Sequence, residues 1–330
     1  MIYIISFTTT FLICLLLIRK PICKSIPSNR GLHQYNVPSS GGLAILIGFS
    51  LAMIFDSERI PLLLIILTSI TLIGLIDDIY HISKIFRFGS QIILSGLTIY
   101  MMNGINLEYI SILIIIFLIT YFINAYNFMD GIDSIIIFQT LYILFSFIFL
   151  LEITPIWNST IMIMISSALA FLMFNISPAK LFLGNSGSYL LGMYVSIVII
   201  GLLYMSNLSI ITALIICTII ITDTTYVILK RFFDKFITYY KNSSTLDLCI
   251  INSIKHVTEA HCSHNYQKLT KMYESHNKVV LLLMIYNIIW CFPLSKLSIV
   301  YQDMGALWLL LSYTPYIAWC VFNQAGVDKK

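Results

Sequence analysis

Apolar residues run through this chain in long unbroken blocks joined by short polar connections, the pattern of helices buried on every face in lipid or in one another. A bilayer core needs about 20 residues of helix. Eleven stretches reach or approach that length: Ile2 to Ile18, Gly41 to Phe55, Pro61 to Ile76, Phe88 to Met102, Tyr109 to Tyr126, Ile132 to Leu151, Ile156 to Ile176, Ser188 to Tyr204, Leu208 to Leu229, Lys278 to Leu297 and Gly305 to Phe322. The second and fourth are short and contain Gly, so ten is the alternative count. The predicted fold class is all-α, a polytopic integral membrane protein with one transmembrane domain over residues 1–330 and a cytoplasmic loop at 230–277.

Composition agrees with that pattern. The 330 residues are 59% hydrophobic and 10% charged, with mean hydropathy +0.92, where a soluble domain carries about 25% charged residues. With eleven spans and the N-terminus outside, all of the 19 Lys and Arg except Arg59 and Lys296 fall on the inner face, as the positive-inside bias requires. The net charge of +4 is therefore a feature of topology, and no nucleic-acid partner is expected. The seven cysteines, Cys14, Cys23, Cys217, Cys249, Cys262, Cys291 and Cys320, contain no CxxC and lie mostly within spans, which reads as small apolar residues rather than disulfides. The first span has no basic region and no small-residue cleavage site before Arg19, the expectation being a retained helix.

Polar residues interrupt the blocks at few places, all on the predicted inner face. Asn124, Asn127, Asp130 and Asp133 recur every three residues, which on a helix makes one polar ridge. Ionisable groups at a span's edge mark a functional site facing a bundle interior or aqueous pocket. The alternative is an interfacial loop whose Asp and Asn cap the next helix. Asp77 and Asp78 end the third span, where the helix dipole disfavours Asp by roughly a few tenths of a kcal/mol and something must compensate. Adjacent helical residues point about 100° apart, so one Asp is expected to face a cation or a base role and the other a neighbouring helix. Gly184, Asn185, Ser186, Gly187 and Ser188 precede a predicted helix, and their backbone and hydroxyls resemble a phosphate cradle. Arg30 and His33 suit a phosphate but also serve as positive-inside residues needing no ligand.

Asp223 lies deep in the ninth span and requires a partner or a cavity. The long inner segment after it holds His256, His261, His264 and His276. His261, Cys262 and His264 lack a second pair at zinc-finger spacing, so phosphate binding is the preferred role over zinc.

The order of these motifs resembles the polyprenyl-phosphate N-acetylhexosamine-1-phosphate transferases, the membrane superfamily that includes the muramyl-pentapeptide translocase. The matching residues span nearly the whole chain: Arg30 to His33 with Gly41 and Gly42, Gly74 to Asp78, Asn124 to Asp133, Pro178 to Gly184 with Gly187 and Ser188, and Glu259 to Gln267. The Glu259 to His264 form is similar to the branch that initiates O-antigen and related surface glycans. The resemblance implies an Mg²⁺-dependent transfer of a sugar 1-phosphate from a UDP-N-acetylhexosamine to undecaprenyl phosphate, releasing UMP. Its implied setting is the cytoplasmic face of a bacterial inner membrane, with membrane lipid as surroundings. Mn²⁺ in place of Mg²⁺ and a homodimer remain open under it.

In site terms the resemblance implies catalytic roles for Asp77, Asp78, Asp130 and Asp133, with Asp77 activating or orienting the lipid phosphate. Asp130 and Asp133 would line the uridine side with Asn124 and Asn127, Phe182 would stack on uracil, and Gly184, Gly187, Ser188, Arg30, His33, His261 and His264 would hold substrate. Asp77 and the residue at 185 would hold the metal.

Four departures matter. The family's metal-binding Asp is Asn185 here, its Asp before Ile-Pro is Ser25, its Gly after Gly-Ile-Asp is Ser134, and its Arg between the histidines is Cys262. Two rival readings follow: an impaired homologue that binds lipid carrier or nucleotide sugar, and an ion-coupled transporter using Asp223. The topology has its own test. Single cysteines placed near Ser134, Ser177 and Ser253, in a background cleared of native cysteines, are expected to react with an impermeant maleimide only from the cytoplasmic side, and labelling from outside at any of them overturns the frame.

Overall fold

The computed structural model describes residues 1–25, 36–56, 60–102, 108–205, 208–241, 245–259 and 261–327. Arg30 and His33 lie outside the described residues. Apart from one antiparallel pair, β1 (Cys23–Ser25) with β2 (Val37–Ser39), the described elements are helical. The chain divides into two compact units, residues 1–213 and 214–330.

The first unit contains α1 (Ile2–Arg19), α2 (Gly41–Ile54), α3 (Pro61–Tyr80), α4 (Lys84–Met101), α5 (Tyr109–Met129), α6 (Ile135–Leu150), α7 (Pro155–Asn175) and α8 (Gly184–Met205). Ile210–Ile216, α9, crosses the division between units. The second unit contains α10 (Thr218–Lys241), α11 (Leu246–Val257), α12 (Asn265–Tyr273), α13 (His276–Tyr286), a π-helical turn at Asn287–Cys291, α14 (Phe292–Val300) and α15 (Gly305–Phe322).

All eleven apolar stretches contain helix, because a segment without water to bond its backbone must satisfy it internally. Among the described residues seven helices are long and apolar enough to cross a membrane, eight if α9 and α10 count as one span broken at Cys217. Two further apolar helices, α2 and α6, are shorter, and α4 carries Lys84 and Arg87 in its first turn. The chain is a multi-pass membrane protein. The segment from 230 to 277 is built of the end of α10, α11 and α12 rather than open loop.

The core of the first unit is α8. It packs against α2, α3, α5, α6 and α7, and 89% of its apolar window is buried, against 22% for α1. The buried face of α3 reads Leu63, Ile66, Leu67, Ile70, Thr71, Gly74 and Asp77, one helical stripe that continues the apolar contact down to a carboxylate. Gly74 sets the closeness of the two helices: a Cβ there would lie 2.6 Å from the Asn185 carbonyl oxygen and 2.7 Å from Ser186 Cα. Both are backbone atoms, so nothing nearby can rotate away. Gly74→Ala is expected to lower stability by about 1–3 kcal/mol through overpacking, seen as earlier thermal unfolding in detergent. Gly96→Ala, where a Cβ meets nothing within 4 Å, serves as the neutral or slightly stabilising control.

Candidate active site

Because α3 ends where α8 begins, Asp77 and Asp78 meet the first turn of α8. The Asp78 carboxylate accepts the backbone N–H of Asn185 on Oδ1 at 2.9 Å and that of Ser186 on Oδ2 at 3.2 Å. A helix start carries unbonded N–H groups and partial positive charge, so this contact satisfies α8 and also compensates an Asp at the unfavourable end of α3. Both acids therefore meet α8, Asp78 through the backbone of its first turn and Asp77 through the side chains of Asn185 and Tyr189.

Asp77 is 3% exposed. Its Oδ2 accepts from Arg87 Nη1 at 2.9 Å, from Asn185 Nδ2 at 2.9 Å and from the Tyr189 hydroxyl at 3.1 Å. Arg87 is the compensating charge, placed by the short connection that turns α3 into α4. Its side chain is 29% exposed.

The structure alters the expected ridge. α5 ends at Met129, Asp130 is its C-cap, and a turn carries Asp133 before α6 starts at Ile135. A three-residue step on a 3.6-residue helix also turns back by about 60° each time, so four such positions cannot share one face. Tertiary contacts gather the four residues differently. Asn124 Nδ2 donates to Gln91 Oε1 at 2.7 Å, and Asn127 Oδ1 accepts from the Ser188 hydroxyl at 3.0 Å. Asp133, 8% exposed, accepts the backbone N–H of Ala179 at 3.2 Å.

Asp130 is half-buried, and its carboxyl makes no hydrogen bond among the described residues. Its pKa is pushed up from an ordinary 3.8 to about 8, chiefly by desolvation and then by the negative charges of Asp78 and Asp133.

The cradle expected at Gly184 to Ser188 differs from a loop open to an anion. α8 starts at Gly184 itself, four residues before the expected position, and its Asn185 and Ser186 N–H groups are held by Asp78. Gly184 has φ +73°, and a Cβ would lie 2.7 Å from Asp78 Oδ2, so the glycine admits the chain's own carboxylate. Gly187 meets the backbone of Gly42. Ser186 and Ser188 are buried. Half-buried Phe182 pairs with β2 and the residues just after it, its N–H donating to Pro38 O and its carbonyl accepting from Gly41.

In the second unit, Asp223 has found its partners. Fully buried, it accepts from His264 Nδ1 at 2.9 Å, the backbone N–H of Asn265 and Tyr266 at 3.2 and 3.1 Å, and the Tyr316 hydroxyl at 2.9 Å. His264, 3% exposed, is the N-cap of α12, with Gln267 completing a capping box. His261 stacks on it with ring centroids 5.0 Å apart and contacts the Ser263 hydroxyl through Nδ1 at 3.0 Å. Arg87, Tyr189, Tyr316 and Gln91 were missed from sequence; the only available signal was that Arg87 and Gln91 share a face of α4 with Ser95.

A polytopic helical bundle with carboxylates gathered where its central helix begins is a membrane protein built to handle charge at the ends of its spans. The chain belongs to glycosyl transferase family 4, the polyprenyl-phosphate N-acetylhexosamine-1-phosphate transferases. Residues 60–203 match the sequence profile of Glycosyl transferase family 4, the stretch from α3 to α8 that carries Asp77, Asp78, Asp130, Asp133 and Asn185. The chain is 30% identical over 266 residues to a probable undecaprenyl-phosphate N-acetylglucosaminyl 1-phosphate transferase of Bacillus subtilis, covering 70% of this chain and 73% of that protein. It is 31% identical over 198 residues to a phospho-N-acetylmuramoyl-pentapeptide-transferase of Staphylococcus aureus, covering 49% and 61%. A Thermotoga maritima undecaprenyl-phosphate alpha-N-acetylglucosaminyl 1-phosphate transferase is 29% identical over 181 residues, covering 52% and 54%.

Ser134 shows how one departure is accommodated. It adopts φ +63°, left-handed backbone that costs a residue with a Cβ about 1–2 kcal/mol. Its buried hydroxyl has no partner among the described residues. Ser134→Gly removes both penalties, and thermal unfolding is expected to move upward by the equivalent of about 1 kcal/mol or more.

Proposed function

We propose that the protein transfers the 1-phosphate of N-acetylglucosamine, or of a related N-acetylated hexosamine, from its UDP derivative to undecaprenyl phosphate, releasing UMP. The observation that carries the reading is the joining of Asp77, Asp78 and residue 185 at the start of α8, inside the stretch that matches the family. The names of the Bacillus and Thermotoga relatives support the choice of substrates.

Displacement at a phosphorus between two anions is governed by positioning and charge neutralisation, with little covalent work for side chains. In this reading Asp77 orients the acceptor phosphate of the lipid, steadied by Arg87, Tyr189 and Asn185. Asp78 keeps α8 in place beneath it. Asp130 and Asp133, with Asn124 and Asn127, face the nucleotide, and Phe182 stacks on uracil. In the second unit His264 is held by Asp223.

Among the described residues no three His, Cys, Asp or Glu side chains group as a preformed metal site. Mg²⁺ commonly takes only one or two carboxylates together with substrate phosphates, and the donors here are the hard oxygens it prefers. The lone carboxyl of Asp130, desolvated and facing two other acids, suits a divalent cation. Asp130, whose neighbouring acids are Asp78 and Asp133, is the group that would hold the ion, Mg²⁺ or Mn²⁺. When bound, it would neutralise charge on the transferring phosphoryl group. The reading places the acids on the cytoplasmic face of a bacterial inner membrane, N-terminus outside, at the first step of a surface glycan, with a homodimer as a candidate assembly.

Incorporation of label from UDP-N-acetylglucosamine into undecaprenyl phosphate by purified protein tests the proposal; no transfer at any Mg²⁺ concentration overturns it. Asp77→Asn and Asp130→Asn are each expected to abolish transfer. They differ in stability. Asp77→Asn places an amide where three donors converge and lowers it. Asp130 has a folded pKa near 8 against 3.8 ordinarily, so its contribution is fully present below about pH 4 and is lost as pH rises through 8. Asp130→Asn mimics the protonated form, and its thermal stability relative to wild type is expected to improve between about pH 4 and 8 and to level off above that.

A further inference from the structure

Position 185 is one of the places where the resemblance implies a charged residue and this chain carries none, and the geometry there points to a function for the amide itself. We propose that Asn185 is a positioning residue that holds Asp77 through a hydrogen bond, and that it is not a ligand of the metal ion. The inference rests on the transferase reading of the same site.

Residue 185 bridges both acids of α3. Its backbone N–H donates to Asp78 Oδ1 at 2.9 Å, and its side-chain Nδ2 donates to Asp77 Oδ2 at 2.9 Å. The nitrogen has to be the atom facing Asp77, because an amide oxygen there would set lone pairs against lone pairs at contact distance. The backbone cannot withdraw, since the Asn185 carbonyl lies against Gly74. With Arg87 and Tyr189, the amide completes three donors on one carboxylate oxygen. This leaves Oδ1 of Asp77 as the oxygen turned to chemistry.

A carboxylate at 185 has no such use in this arrangement. It would face Asp77 Oδ2 as a like charge in a cluster that already contains Asp78, Asp130 and Asp133, and it would donate nothing. An Asp at 185 needs a cation between it and Asp77; an Asn makes the contact without one. The amide therefore preorganises Asp77 in the metal-free protein.

The test uses the full-length protein in detergent and two readouts. In Asn185→Ala, kcat is expected to fall at least about tenfold with the KM for each substrate and the affinity for Mn²⁺, read by electron paramagnetic resonance of the free ion, within about twofold of wild type. Asn185→Asp is expected to unfold at lower temperature without metal and to transfer more slowly at every Mg²⁺ concentration. Should the alanine variant not fold, Asn185→Gln keeps the amide, displaced by one methylene, and carries the same kinetic comparison. Mn²⁺ binding weakened tenfold by Asn185→Ala, or faster turnover at low Mg²⁺ in Asn185→Asp, would overturn the inference and return position 185 to the metal. A wild type that binds Mn²⁺ but transfers nothing overturns the transferase reading alone, because the Mn²⁺ comparison still decides whether 185 is a ligand.

Discussion

The carboxylate of Asp78 lying across the first turn of α8 is the contact on which the first unit depends. It joins the negative end of one membrane helix to the positive end of another, so that each cancels what the other leaves unsatisfied. Gly74 lets the two backbones touch, and from that closeness the rest follows. Asp77, one residue earlier, is carried against Asn185; Arg87 arrives from α4 to balance it; Ser188, one turn into α8, reaches Asn127 on α5. A cluster of acids at the end of apolar helices is thus held by hydrogen bonds that also define where the central helix begins.

The second unit uses the same device in a more buried form. Asp223 accepts two N–H groups from the first turn of α12, as Asp78 does from α8, and adds His264 and Tyr316. A carboxylate with four donors can be placed deep in a helical bundle because its lost hydration is replaced atom for atom. An intramembrane Asp is commonly a functional group, yet Asp78 and Asp223 have their oxygens engaged in joining helices. Asp130 is the contrast: it lacks a hydrogen-bond partner among the described residues and faces other acids, so its charged form is disfavoured where it stands.

The departures from the family divide on the same physical grounds. Ser134 occupies left-handed backbone suited to glycine and retains the turn at a cost, so it is tolerated rather than useful. Asn185 places a donor against Asp77, and that hydrogen bond makes the residue part of the site.

The helices and the membrane class were determined by the sequence itself, because hydrophobicity over about 20 residues is a local property and lipid leaves the backbone no alternative to helix. The positions of the acids were legible for the same reason: Asp77, Asp78, Asp130, Asp133 and Asp223 stand out against apolar surroundings. The sequence misled at Asn124 to Asp133, where a three-residue repeat looked helical although Asp130, Gly131 and Asp133 form a turn. Partnership was decided only by the tertiary structure. Asp78 and Asn185 are 107 residues apart, Asp223 and His264 are 41 apart, and no pattern along the chain says which carboxylate caps which helix. A hydrogen bond depends on distances of about 3 Å, and those are set by how helices pack, which is where an acid becomes either a cap or a group available for chemistry.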